Sequence, residues 1–418
     1  MATVTLADGV ELRLGNTDAA EVRDITPYLK KLVWVESLIR GGFFWELSLA
    51  VNVWREWNDI ILGRDSKTFQ IRLTSQEGGR ESSTEWRTAV VDSSDVVFRG
   101  EAILTNIRGG DRRLNMLQET RHRAWPQSTV AEIIRTIAPS YNLNARADDT
   151  PNRIDRWQIN ETDWEFMHRL VFEEASVSGR GDLFLWLDED LLRLSAPPLS
   201  APSARRHDMD IVENRVDRIR MTYQGRRVDR AGGATLQAVG FDFGAKVGVG
   251  FTMDGPAAQT QPALAGRVPR DPGGARRVMP VTYSTPGTVE SRARGRWSRF
   301  APRYFGVAVD TRPDLALRAG QILEVQASLG RDQDTPFLGR FLALEVQHEM
   351  SYAGSREDGL RPDGGSILTS AVCYRREAYV GEEDPSGAQA ETTSTRDNYV
   401  FGKPQSPRVV VPAVALPG

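Results

Sequence analysis

The chain has 418 residues, enough for roughly two to four domains, each with a core of its own. Its 53 basic and 56 acidic side chains leave a net charge of −3, which argues against a general nucleic-acid binder. Hydrophobic residues make up 40% and charged residues 26%, a composition too polar for a chain embedded in a bilayer, and no apolar run approaches the roughly 18 residues of a spanning helix.

The first 120 residues read as short strands punctuated by glycine turns. Val4 and Leu6, Asp8-Gly9, then Val10, Leu12 and Leu14 have the form of a two-residue hairpin, because Asp-Gly tolerates the positive φ angles such a turn needs. A second hairpin is predicted over Lys31 to Val53 around Arg40-Gly41-Gly42. Its returning half, with Phe43, Trp45, Leu47, Leu49, Val51 and Val53 on one side, is the clearest period-2 signal in the sequence. Further strands are expected at Thr68 to Thr74, Trp86 to Val91, Val96 to Ile107 and Leu114 to Thr120, with Gly-Gly turns at 78–79 and 109–110. Strands at this spacing with little helix between them suggest a small antiparallel barrel or sandwich.

The pattern changes near residue 125. Val130, Ile133, Ile134 and Ile137 form a helical stripe, and Thr129 with Glu132 fits a capping box. A second helix repeats the device with Thr162 and Glu165 ahead of Trp164, Met167, Leu170 and Val171. A hairpin follows, from Leu183 to Leu194, with Asp188-Glu189-Asp190 at its tip. Strand signals return with Val216 to Tyr223 and resume at Tyr304 to Val309, Gln321 to Ala327, Leu338 to Met350 and Ser366 to Tyr374. The stretch from Asp254 to Pro286 is rich in Pro, Gly, Ala and Arg and reads as a long loop ordered by a partner. The last 40 residues lack the large apolar side chains of a core and are expected to lie extended on something else.

Ordinary catalytic patterns do not emerge. The chain has one cysteine, Cys373, which excludes a disulfide framework within the chain and any Cys-based zinc cluster. His122, His168, His207 and His348 lie far apart, with no HExxH pair and no GxSxG elbow to serve. Gly248-x-Gly250 lacks the third glycine and the following helix of a nucleotide-binding turn and reads as strand. Asp188-Glu189-Asp190 and Glu173-Glu174 read as a solvated turn and a helix end facing water; a buried, inert thiol is expected at Cys373. No catalytic, cofactor or metal residue is assigned. The least ordinary segment is Arg267 to Arg303, in which nine arginines stand against Asp271 and Glu290, interleaved towards its end with Trp297, Phe300 and Tyr304. Arginine with aromatics suits protein contacts and single-stranded nucleic acid alike; the acidic balance of the whole chain favours protein. The opening MATVTLADGVELRLG has neither part of a signal peptide, so a soluble protein of a reducing compartment is expected.

The run QINETDWEFMHRLVFEEASV with LFLWLDEDLLRL after it resembles the helix-plus-hairpin signature of central hub proteins of contractile phage-tail baseplates. It resembles equally the late-control tail proteins and the hub part of type VI secretion spike proteins. Glu161, Thr162, Asp163, Trp164, Phe166, Arg169 and Leu170 stand in the family's order. TVAEIIRTIAPSYNL, LALRAGQILEV, FLGRFLALEVQHEM and ILTSAVCYR are similar to neighbouring family elements, so the motifs cover roughly 120–380 and the architecture 1–120. The resemblance implies a mainly β fold with an α/β insert: a first tube-like barrel over 1–120, the insert over 121–200, a second barrel over 201–378 carrying the Arg/Pro/Gly-rich loop at about 254–300, and an extended tail over 379–418. It further implies a non-enzymatic homotrimer whose six barrels join a sixfold tail tube to a threefold spike. The partners would be tube protein, a separate spike polypeptide and other baseplate or tape-measure proteins, with DNA passing the channel unbound and no membrane or cofactor. Two rivals remain open: a cell-wall hydrolase using Asp188, Glu189 and Asp190, and a nucleic-acid module using Arg292, Arg294, Arg296 and Trp297.

Overall fold

The structure is a computed structural model that describes residues 9–14, 22–50, 68–77, 80–99, 102–172, 174–175, 177, 183–196, 205–208, 216–223, 236–253, 277–281, 285–300, 305–311, 314–326, 339–352, 365–375 and 398–400. The first region supplies β1 (Gly9–Leu14), β2 (Val22–Asp24), β3 (Leu29–Ser37), β4 (Gly42–Ala50), β5 (Thr68–Glu77), β6 (Arg80–Ser83), β7 (Arg87–Arg99) and β8 (Ala102–Gly110). β3 and β4 pair from Leu29↔Leu49 to Ser37↔Gly42, the hairpin that the alternation predicts. Leu32 and Trp34 on β3 and Trp45, Leu47 and Leu49 on β4 turn inward, where they meet Val10, Leu12, Phe69, Ile71 and Leu73. The first half of the predicted Asp8-Gly9 hairpin and the turn residues 78–79 lie outside the described residues, although Glu77↔Arg80 closes the β5–β6 pair.

Two expectations in this region are corrected. Gly109 and Gly110 are strand residues, opposite Trp45 and Phe44, and no turn. A Cβ on Gly109 would stand 2.0 Å from the Val90 carbonyl and 2.4 Å from the Trp45 ring, so close strand approach explains the glycine. The predicted strand Leu114 to Thr120 is instead a 3-10 helix, Arg112–Leu117. The Asp111 side chain accepts hydrogen bonds from the amides of Phe43 and Arg113, and that capping competes with a ladder.

The insert contains β9 (Thr120–Ser128), α1 (Val130–Ile137), β10 (Asn144–Ala147), β11 (Ile154–Thr162), α2 (Asp163–Phe172), β12 (Phe184–Asp188) and β13 (Leu191–Ser195). Both capping boxes form: Thr129 and Glu132 exchange hydrogen bonds across the start of α1, and Thr162 and Glu165 do so across the start of α2. The apolar stripes of the two helices meet the β10-β13-β12 sheet in one core.

The remaining strands are β14 (Arg205–Asp208), β15 (Val216–Tyr223), β16 (Leu236–Asp242), β17 (Val247–Met253), β18 (Arg277–Val281), β19 (Phe305–Thr311), β20 (Ile322–Gln326), β21 (Gly339–Tyr352), β22 (Gly365–Arg375) and β23 (Asn398–Val400). The predicted late strands are thus present, and Gly248 and Gly250 lie within a strand. β21 pairs β3 from Glu345↔Ser37 to Ser351↔Lys31 and welds the two β regions into a single 14-stranded sheet. The fold is mainly β with an α/β insert. The long-loop expectation for 254–300 is corrected where it can be seen: Arg277–Val281 is a strand and Pro286–Phe300 is helix α3. Thr285 accepts a hydrogen bond from the Thr288 amide at the start of α3, and the apolar residues among its described side chains that face the core are the small Val289 and Ala293, so its stripe is faint in the sequence. Residues 254–276 lie outside the described set. Within the tail, Asn398–Val400 joins the edge of β17 in the same chain.

Candidate functional site

One face of the long sheet is open across both β regions. Registers place Asp95 opposite Asn106, Asn106 opposite Ser48, Glu46 between Arg108 and Val33, Val33 opposite Glu349, Glu345 opposite Val372, and Val372 opposite Ala308. Directly opposed residues share a face, so these side chains, with Lys31, Val35, Phe44, Gln347 and Asp310, form one continuous surface. None of them is buried, whereas their strand neighbours Trp34, Trp45, Ile107, Val346, Ala371 and Val309 are. Among these described side chains the charges are Lys31 and Arg108 against Glu46, Asp95, Glu345, Glu349 and Asp310. Lys31 lies 2.7 Å from Glu349 and Arg108 3.2 Å from Glu46, so both cations are neutralised in place and the excess is acidic.

The insert is fastened behind this sheet by its hairpin tip. Arg87, 5% exposed, lies 3.0 Å from Asp188 and 2.9 Å from Glu189, and the Thr88 amide donates to Glu189 at 3.2 Å. Arg193 holds the other Asp188 oxygen at 3.1 Å, and Arg112 holds Asp190 at 2.6 Å. Burial alone would lower the basicity of Arg87, but Glu36, Glu189 and Asp188 more than restore it, and the guanidinium stays charged. The tip is therefore a docked tenon, a correction of the solvated-turn expectation for Asp188 and Glu189, which a buried arginine on another region draws partly out of water, while Asp190 stays exposed. Its three carboxylates are all engaged by arginines. Beside the tip is a cleft of about 340 Å³ between the β3–β4 turn, the hairpin and Arg318–Gln321. Its lining has Arg87, Arg193 and Arg318 against Glu36, Glu85 and Asp188, an even balance.

The β3–β4 turn is the second fastening. The Gly41 carbonyl accepts from the Leu187 amide at 3.0 Å, and His168 Nε2 lies 3.2 Å from the Ile39 carbonyl. Gly41 has φ +76°, and a Cβ there would stand 2.4 Å from the Leu185 carbonyl. Arg113, 1% exposed, reaches the Arg40 carbonyl and lies over Phe44 and Trp164, its guanidinium carbon 4.2 and 5.2 Å from the ring centres.

A third fastening corrects the reading of Glu174 as water-facing. Glu174 is 0% exposed and accepts from Arg156 at 2.5 Å and from Asn152 at 2.7 Å, with Ser291 of α3 at 3.4 Å. Sequence reading missed it because its partner sits 18 residues upstream on β11 and the Ser291 helix far downstream. In the Arg-rich segment, Arg294 pairs with Glu290 at 2.9 Å and lies over the Phe251 ring, engaged within its own domain. Arg292 is half-buried, and the side chains of Arg296 and Trp297 lie outside the described set. Cys373 is 1% exposed, and burial pushes its thiol up, away from the reactive thiolate. His348, 1% exposed, bonds Thr369 in the core. Among the described residues no group of three His, Cys, Asp or Glu is placed to hold a metal, and no helix is long and apolar enough to cross a membrane.

Compared by sequence, the chain matches no protein-family profile and no curated protein. By fold it is similar to the tail protein of Neisseria meningitidis MC58, with a TM-score of 0.60 at 11% identity over 89% of this chain and 98% of that one. It is similar too to the prophage MuSo2 43 kDa tail protein of Shewanella oneidensis, with a TM-score of 0.55 at 12% identity over 89% and 99%. The chain's structural neighbours are phage tail proteins. The lidded PdpA-VgrG complex of Francisella shares the fold as well, with a TM-score of 0.52 at 8% identity, 89% of this chain and 53% of that one. Identities this low carry the tail-protein fold and no more. Within that fold the run QINETDW occupies β11 and the start of α2, where Asp163 is fully buried and accepts from Tyr141 at 2.9 Å and Gln158 at 2.8 Å.

Proposed function

We propose that the chain is a non-enzymatic structural hub of a contractile tail baseplate, acting as a homotrimeric adaptor between a sixfold tail tube and a threefold spike. The observation that carries the reading is the open, net-acidic sheet face running unbroken across two β regions of a tail-protein fold. Such a face suits the wall of a channel through which DNA passes, because its excess of carboxylates repels phosphates. Three fastenings between regions suit a part that transmits force with little internal movement. The division we propose is a first tube-like region over 1–120, the insert over 121–200, a second tube-like region over 201–378 and a tail over 379–418. Tube protein, spike and tape-measure or other baseplate proteins are the proposed partners, and the virion tail baseplate, built in the host cytoplasm, the proposed location.

Light scattering on the purified chain, alone and with its tube and spike proteins, tests the reading. A trimer, or a trimer that forms when those partners are added, is expected. A chain that stays monomeric in both conditions would end it.

A further inference from the structure

Among the described residues the β9–β11 ribbon of the insert is a sheet of two strands, and its two faces differ. On one face Arg156 and Gln158 are buried, Trp125 packs on the insert core and Arg123 donates to Asp163. On the other, Trp157 stands opposite Ala124 and Ile159 opposite His122, with Pro126 further along β9. All five are exposed, Trp157 by 44% and Ile159 by 65%, and none carries a carboxylate, ammonium or guanidinium group. Adjoining apolar side chains left in water in this way mark a contact surface. The ribbon offers its face rather than its edges. Arg169 donates to the Trp157 carbonyl at 3.2 Å, and Pro126 has no amide hydrogen to give.

We infer that the apolar run at 409–416 of the same chain lies extended across this face, with Pro412 against the Trp157 ring and valines around Ile159. The contact is made within one chain and does not depend on the hub reading. The tether favours it. β23, the last described strand, pairs β17 at Val249↔Val400. α3 packs on the same sheet with Arg294 over Phe251, and it meets the insert where Ser291 and Gly295 approach Glu174. Glu174 holds Arg156, the neighbour of Trp157 in β11. One helix and one ion pair therefore lie between the anchored strand and the exposed face. The spacer at 401–408 spans up to about 26 Å when extended, more than twice the width of a helix with its side chains. Chemistry agrees with reach. The run reads VVVPAVAL, with no charged or hydrogen-bonding side chain, and the face it would cover is uncharged as well. Pro407, Pro412 and Pro417 hold φ near −65°, in the extended range, so ordering the segment costs less. Pro412 has no amide hydrogen for a sheet edge, whereas proline-bearing extended segments dock well on aromatic faces.

Elastase, which cuts after small apolar residues, tests this on the full chain. Ile159→Asp changes an exposed side chain and leaves the insert core in place. Cleavage within 409–416, followed by mass spectrometry, should run about tenfold faster in the variant than in wild type. Equal rates would overturn the docking. In a second measurement Ile159→Cys is combined with Val410→Cys, Val411→Cys or Val414→Cys and the dilute protein is oxidised. Cys373 is buried and takes no part. A disulfide within one chain is expected in at least one combination. It should form faster than the links that the same tail cysteines make to Asp149→Cys, a position exposed elsewhere on the insert. Equal rates, or links between chains only, would mean that the tail does not dock on its own ribbon. Either failure leaves the hub reading standing, because its test is the trimer.

Discussion

At Glu174 a single side chain decides whether α3 stays on the insert. With Glu174 fully buried, Glu174→Ala strands the Arg156 guanidinium in a dry site, and unfolding by urea should show a loss of about 3–5 kcal/mol. The two capping glutamates work in the opposite environment. Glu132 is held below its ordinary value of 4.5 chiefly by the Thr129 amide, and Glu165 chiefly by the Thr162 amide. Their folded pKa values lie below the unfolded ones, so their contribution is complete above pH 4.5 and disappears as pH falls through the lowered values. Stability scans of Glu132→Gln and Glu165→Gln should therefore run flatter than wild type below pH 4.5. An unchanged slope would mean that the boxes do not bind the carboxylates. These boxes were legible in the sequence, because a cap is a relation between residues three apart. Glu174 was not, because its burial depends on chain 18 and 117 residues away.

Among elements, α3 offers a contrast in sign. Gly287 has nothing within 4 Å of an added Cβ, so Gly287→Ala should raise stability by about 0.4–1 kcal/mol. Gly295 on the same helix would put its Cβ 2.6 Å from the Glu174 carbonyl. Gly295→Ala should therefore lower stability by about 1–3 kcal/mol, although helix propensity alone favours alanine. Thermal melts of the two variants settle the matter. The β12–β13 hairpin gives a second test. In a double-mutant cycle on Arg87→Met and Glu189→Gln, a coupling of about 0.5–3 kcal/mol is expected, and additive losses would show that the tip is not docked through this pair. Periodicity found the hairpin, since its strands alternate, but was silent on its docking. A run of three acidic residues looks the same in water as against an arginine 101 positions upstream.

For the whole molecule the open face makes a quantitative demand. With five carboxylates against two paired cations among its described side chains, wild-type protein should hold DNA weakly at any salt in filter-binding assays. Reversing the two carboxylates Glu345 and Asp310 to lysine should create binding that weakens steeply as salt rises. A steep salt response in the wild type would favour the Arg-rich segment as a nucleic-acid site.

The chain's own order of residues determined the strands, the capped helices, the hairpin and the mainly β class, because alternation, helical spacing and capping are written within a few residues of one another. The resemblance to tail proteins was legible for the same reason. Tertiary structure decided that β3 pairs β21 across about 310 intervening residues, that the acidic tip is docked, and that a faintly striped, arginine-rich stretch is a helix. Those outcomes depend on which surfaces exclude water from one another, and short-range pattern does not encode that.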